Sequence, residues 1–120
     1  MTRVIAAGMT LALLMAGTAQ AEPVAYTWTG MGVTVPGSAK CATYKMTIDV
    51  TVDGTAVKGT FQQQGRADRH FEAVLDAKGV FKGKAAVDGG SMDVSGVISD
   101  NDPLVVLDGY CKFGGKLNKK

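Results

Sequence analysis

A strict alternation of apolar and polar side chains over residues 44–53 constrains the fold of this chain more than any other feature. Side chains two apart in a β-strand share one face of the sheet, whereas a helix needs a repeat of about 3.6 residues. The segment therefore predicts a strand with one buried and one solvated face. The predicted buried face consists of Tyr44, Met46, Ile48, Val50 and Val52.

Three later segments repeat the alternation with a glycine at the central position: residues 57–61, 81–85 and 94–98. In each of them the glycine lies two residues from an apolar side chain on either side, so it belongs to the buried face. Glycine within a strand is typical of a tight bend or of a close approach by another part of the chain. Gly59, Gly83 and Gly96 therefore predict strands that curve over a shared core.

Turn sequences separate the alternating segments. Asp53-Gly54 is a tight-turn dipeptide, residues 76–79 fit a four-residue hairpin connection, and residues 88–91 and 99–103 are rich in turn-forming residues. This spacing predicts seven or eight short antiparallel strands, and such a sheet has to close or double over to cover its apolar face. We therefore predict an all-β fold, either a small up-and-down barrel or a closed sandwich.

Residues 67–78 are open to two interpretations. As a strand, they place Phe71 and Leu75 on the inward face and His70 on the outward face. The apolar residues also fit a stripe at helical spacing, which Gly79 would end. The regular spacing of strands and turns on either side favours the strand.

The first 21 residues predict a cleaved secretory signal. Arg3 supplies positive charge, residues 4–15 are apolar, and Ala19-Gln20-Ala21 has the small-x-small form of a cleavage site. Cleavage there would leave residues 22–120 as one β domain, exported to the periplasm or secreted. The alternative is a permanent anchor, which needs about 20 predominantly apolar residues; we expect no membrane insertion of the mature chain.

Cys41 and Cys111 are the two cysteines of the chain. An exported protein meets an oxidising environment, in which two cysteines have one possible intramolecular pairing. A zinc pair or a catalytic thiol would need a Cys-x-x-Cys spacing or a nearby histidine, and neither cysteine has one in the sequence. We therefore predict a disulfide that fastens the two ends of the sheet.

The predicted strand number and the single cysteine pair resemble small exported barrels of the lipocalin-like (calycin-like) kind, including bacterial proteinase inhibitors with an eight-stranded, single-disulfide plan. The resemblance is one of architecture, without a shared motif, and it assigns no site residue. It implies a barrel whose interior is filled by side chains or holds one small ligand, and the short chain favours a filled interior. It also implies proteinase inhibition as one candidate function, through a loop or through residues 22–26.

Charged and polar groups are concentrated in one stretch at a predicted hairpin tip. His70 and Glu72 would lie about 6.6 to 7 Å apart on one strand face, so they are candidate metal ligands if a neighbouring strand completes the site. The alternative is a solvated strand face whose charges resist pairing with another edge, and we favour it. The stretch consists of Arg66, Asp68, Arg69, His70 and Glu72.

No sequence motif indicates catalysis. The single histidine is not accompanied by a nucleophile-elbow motif around any serine, and a formal net charge of +2 gives no reason to expect binding to nucleic acid. We therefore expect a non-catalytic binding module without a cofactor, which presents loops or a small pocket to a ligand or a protein partner. Proteinase inhibition and metal binding are the alternatives. The candidate contact residues are the five above with Trp28 and Tyr110.

Overall fold

A computed structural model describes residues 22–33 and 40–120 of the chain. The predicted signal sequence, residues 1–21, lies outside the described residues, so its cleavage stays a prediction from the sequence. In the two described ranges, no helix has the length and apolar character needed to cross a membrane.

The described residues form nine antiparallel strands in two sheets. The strands are β1 Val24–Met31, β2 Lys45–Asp53, β3 Ala56–Gln63, β4 Arg69–Val74, β5 Val80–Val87, β6 Gly90–Val97, β7 Leu104–Asp108, β8 Lys112–Lys116 and β9 Asn118–Lys119. The first sheet has the order β4-β3-β2-β1-β9, and the second has the order β5-β6-β7-β8. A 3₁₀ helix, Lys40–Thr43, precedes β2. The strand number exceeds the prediction because the two-residue β9 pairs separately with β1.

Of the two predicted architectures, the sandwich is confirmed and the closed barrel is wrong. Hydrogen-bonded ladders join neighbours within each sheet, but in the described part of the chain no ladder joins β4 to β5. There, Gly83 packs against the backbone of Glu72, whose carbonyl oxygen would lie 2.9 Å from a Cβ at position 83. At the opposite seam, the sheets meet through an isolated bridge between Val33 and Lys112. The chain therefore passes from the first sheet to the second between β4 and β5 without continuous backbone pairing. The resemblance to lipocalin-like barrels does not extend to a closed barrel.

The strand interpretation of residues 67–78 is confirmed. β4 pairs with β3 in a regular antiparallel register, in which Phe71 stands opposite Gly59. Phe71 is buried, whereas His70 and Glu72 are exposed, so the two faces are those that a period of two predicts. The helix is excluded because its stripe would bury Val74, which is 68% exposed.

The core lies between the two sheets and is built from the inward-facing side chains of strands in both sheets. β2 shows this most regularly, since Met46, Ile48 and Val50 are buried while Lys45 and Thr51 are exposed. The other fully buried large side chains are Val57, Phe81, Val94, Val105, Leu107 and Leu117.

The glycines on the buried face make room for aromatic rings. Gly59 lies under the ring of Phe71, and Gly96 lies under the ring of Phe81, its partner across β5 and β6. The Phe71 and Phe81 rings stack with centroids 6.3 Å apart, although they belong to different sheets. The two glycines therefore allow the aromatic contact that joins the sheets at the β4–β5 corner.

The predicted disulfide is confirmed. Cys41, in the 3₁₀ helix, and Cys111, just before β8, are bonded, with their Cα atoms 5.5 Å apart, and both are buried. One cysteine precedes a strand of the first sheet and the other precedes a strand of the second. The crosslink therefore fastens the two sheets to each other at one end of the sandwich.

Candidate functional site

The end of the sandwich that carries the disulfide also carries an open pocket. The strand registers place the β3–β4, β5–β6 and β7–β8 connections at this end, together with the 3₁₀ helix. A pocket of about 350 Å³ opens among them, between the two sheets. Loops held by a rigid sheet scaffold are where binding residues are most often found.

The floor of the pocket is apolar. Met46 of β2, Phe61 of β3, Met92 of β6 and Phe113 of β8 line it and are all buried, and buried Cys111 adjoins them. The four strand residues are the last buried positions of their strands at this end, so the floor is the end of the core itself. The pocket therefore exposes part of the hydrophobic core to solvent.

The rim of the pocket is polar and aromatic. Tyr44 lies just before β2, Gln63 ends β3, and Tyr110 comes from the β7–β8 connection. Tyr110 is 75% exposed, which is unusual for an aromatic side chain. Tyrosine combines an apolar ring with a hydroxyl group, so it suits a boundary between a dry floor and water.

Two arginines and one aspartate bring the sheets together at the rim. Arg69 Nη2 lies 3.1 Å from Asp88 Oδ2, and Arg66 Nη1 lies 4.0 Å from the same oxygen. Both arginines belong to the first sheet and its β3–β4 connection, whereas Asp88 lies in the β5–β6 turn of the second sheet. The ion pairs therefore span the mouth, and the three side chains together carry a net charge of +1.

The three charged groups differ in their contact with water. The side chain of Arg69 is only 23% exposed, because position 69 shares the inward face of β4 with Phe71. The Asp88 side chain is 82% exposed. Most of the Arg69 side chain is therefore shielded from water at the mouth, whereas the Asp88 side chain that pairs with it is exposed.

The segment that carries Arg66 is fixed by backbone contacts. The Gln62 side-chain amide donates a hydrogen bond to the Arg66 carbonyl oxygen at 3.0 Å, and Arg66 N–H donates to the Gln63 carbonyl oxygen at 2.9 Å. Gln64 N–H donates to the carbonyl oxygen of Lys45 at 2.9 Å, which ties the connection to β2. The position of Arg66 is thus preorganised by its own loop.

Three of the predicted contact residues, Arg66, Arg69 and Tyr110, line the pocket. Asp68 is exposed and lies outside the lining. Trp28 is also outside it, because its ring is half-buried against the core and lies over Gly30, and its indole nitrogen would be 3.0 Å from a Cβ at Gly115.

The two candidate metal ligands lie on the outer face of β4, away from the pocket. His70 stands opposite Thr60, whose hydroxyl oxygen lies 3.3 Å from His70 Nδ1, and Glu72 stands opposite Lys58. Within the described ranges, no three histidine, cysteine, aspartate or glutamate side chains are grouped so that they could hold a metal ion. Residues 22–33 and 40–120 therefore supply no third ligand beside His70 and Glu72.

Sequence reasoning missed most of the pocket lining. Asp88 was recognised as a turn residue, but no local signal shows that it meets Arg69, which lies on the other sheet. Tyr44 and Met46 were predicted on the buried face, and it is the end of that face that forms the pocket. The sequence also did not indicate that a pocket would be lined by Phe61, Gln63, Ala67, Val87, Met92 and Phe113.

The sequence matches no protein-family model, and comparisons with curated proteins and with solved structures find no significant similarity.

Proposed function

We propose that this protein is an exported, non-catalytic binding module that holds one small, partly apolar molecule in the pocket between its sheets. The observation that supports this proposal is the pocket's construction: an apolar floor continuous with the core, open to solvent at a polar mouth. Its volume of about 350 Å³ lies at the lower end of the range for ligand sites, roughly 300 to 1,000 Å³.

The rest of the sandwich is consistent with a preorganised site. Both sheets contribute to the floor, and the disulfide that fastens them has Cys111 in the lining. Binding to a preorganised pocket avoids much of the entropy that ordering a flexible site would cost. Export is supported by the same crosslink, since such disulfides persist in oxidising compartments.

Binding of a neutral apolar dye tests the proposal. N-phenylnaphthylamine fluoresces strongly in apolar surroundings, so we expect saturable enhancement with one site per chain. Gln63→Trp places a large ring at the rim and should weaken dye binding at least about tenfold, because it fills space the dye needs. The matched control is Thr51→Trp, which adds the same ring on the exposed outer face of β2 and should bind like the wild type.

The circular dichroism spectrum and melting temperature of each variant establish that it is folded. Saturable binding that Gln63→Trp weakens and Thr51→Trp leaves intact supports the proposal. Absence of saturable binding to the wild-type protein, or equal binding by both variants, contradicts it.

A further inference from the structure

The charged mouth indicates which class of ligand the pocket takes. We propose that the pocket binds amphipathic monoanions: a carboxylate or sulfate head group replaces Asp88 on Arg69 and Arg66, and a short apolar body lies on the floor. This inference rests on the proposed function, because it presupposes that the pocket is occupied by a small molecule.

Arg69 and Asp88 differ in how far their side chains are exposed to water. An arginine side chain that is only 23% exposed needs an anionic partner, because an unpaired charge in such surroundings is costly. Asp88 supplies that partner from a side chain that is 82% exposed, and exposed ion pairs contribute little stability. Releasing Asp88 to water is therefore inexpensive, provided that another anion takes its place.

One oxygen of Asp88 is shared by both arginines. Arg66 and Arg69 both approach Oδ2 of Asp88, at 4.0 and 3.1 Å, so one carboxylate oxygen serves two guanidinium groups. Each guanidinium has five N–H donors in a planar fork that matches a carboxylate or sulfate with two parallel hydrogen bonds. A free oxyanion can orient itself in this fork more freely than Asp88, which is tethered to the β5–β6 turn. The incoming charge also neutralises the net charge of +1 on the three side chains.

The register of β3 and β4 places the charged mouth next to the apolar floor. Arg69 stands directly opposite Phe61, whose ring belongs to the floor, and Gln63 beside them stands opposite Met46. The site for the head group and the site for the apolar body are therefore adjacent across one strand pair. A molecule with an anionic end and a short apolar body satisfies both at once, whereas a small inorganic anion leaves the floor empty.

Calorimetric titration with ligands of equal chain length tests the inference: octanoate, octyl sulfate, octanol and octylamine. We expect the two anions to bind about tenfold more tightly than octanol, from the added charge-assisted hydrogen bonds, and octylamine to bind most weakly. Arg69→Gln should abolish the preference for octanoate over octanol, and Arg66→Gln should reduce it. Asp88→Asn should tighten octanoate binding several-fold, because the competing carboxylate is gone. Lys58→Gln removes an exposed cation from the outer face of β3 and should leave all four affinities unchanged.

The outcomes separate the inference from the proposed function. Octanol binding as tightly as octanoate, with no effect of Arg69→Gln, overturns the anion preference but leaves the apolar pocket in place. Failure of all four ligands to bind overturns both. If Arg69→Gln does not fold, Asp88→Asn decides, since it changes an exposed turn residue: tighter octanoate binding supports the exchange of anions, and unchanged or weaker binding contradicts it.

Discussion

The ring of Phe71 lies directly over Gly59, the residue opposite it in the β3–β4 ladder. A methyl group at position 59 would overlap the ring, and the ring itself stacks on Phe81 of the other sheet. The absence of a side chain at one position is therefore a condition for the contact that joins the two sheets.

Gly59→Ala should destabilise the protein by about 1 to 3 kcal/mol, because the added methyl group overpacks the core. Alanine in place of glycine within a strand ordinarily stabilises by about 0.5 to 1 kcal/mol, so the predicted sign is opposite to the usual one. Urea unfolding measures the change. Gly90→Ala in β6 is the matched control, since nothing lies within 4 Å of its added methyl group, and it should be neutral or slightly stabilising.

A double-mutant cycle tests whether the ring is the cause. In a Phe71→Leu background, Gly59→Ala should cost clearly less than in the wild type, because the shorter side chain leaves room for the methyl group. An equal cost in both backgrounds would mean that something other than the ring opposes the alanine.

Removing the disulfide by the double substitution Cys41→Ala and Cys111→Ala should lower the free energy of unfolding by roughly 4 kcal/mol. The crosslink closes a sequence separation of 70 residues, and the chain-entropy account gives a loss of this size for such a loop. Denaturant unfolding measures it, and reduction of the wild-type protein should give a similar loss. Reductant should leave the double variant unaffected. A loss below about 1 kcal/mol would contradict a stabilising role for the crosslink.

Asp76 should make stability depend on pH in acid. Its carboxylate accepts hydrogen bonds from the backbone N–H groups of Val80 at 2.9 Å and Lys78 at 2.8 Å, and these hold the Asp76 pKa below its ordinary value of 3.8. The native state therefore binds this proton less readily than the unfolded state. The resulting stabilisation is present above pH 3.8 and is lost as the pH falls through the lowered pKa.

Asp76→Asn should reduce the loss of stability on acidification below pH 3.8, because the asparagine cannot take up the proton. Thermal melts over a series of acidic buffers measure this loss. Lys78→Ala keeps the backbone N–H that Asp76 accepts and should follow the wild-type profile. Identical acid profiles for the wild type and Asp76→Asn would show that the turn carboxylate does not contribute.

The sequence predicted those parts of the fold that depend on local periodicity. The alternation over residues 44–53 has no helical counterpart, so the buried face of β2 followed from it. The outward positions of His70 and Glu72 followed from the strand interpretation of residues 67–78, which the surrounding hairpins favoured over a helix. Cys41 and Cys111 had a single possible partner each. However, strands of a barrel and of a sandwich show the same alternation. The two folds differ in whether backbone hydrogen bonds join the edge strands of the two sheets, and the pattern of side chains does not determine this.

The site was less accessible to sequence reasoning, because a period of two gives the face of a residue but not its neighbours on another sheet. Arg69 was identified as a candidate, yet its pairing with Asp88 arises only when the β5–β6 turn comes to lie beside the β3–β4 connection. Trp28, another candidate contact residue, lies outside the pocket lining. The residue type alone does not distinguish an aromatic side chain in a contact surface from one packed on the core. Trp28 packs on the core because Gly30 and Gly115 leave space for its ring.

Backbone amide chemical shifts, mapped during titration with octanoate and, separately, with octanol, locate the ligand site in the structure. We expect both ligands to perturb a compact set of amides around the mouth between the sheets, with Gln63, Arg66, Arg69, Asp88 and Tyr110 among the most affected. Perturbations clustered on the outer faces of the sheets, or none at saturating ligand, would contradict a ligand site in this pocket.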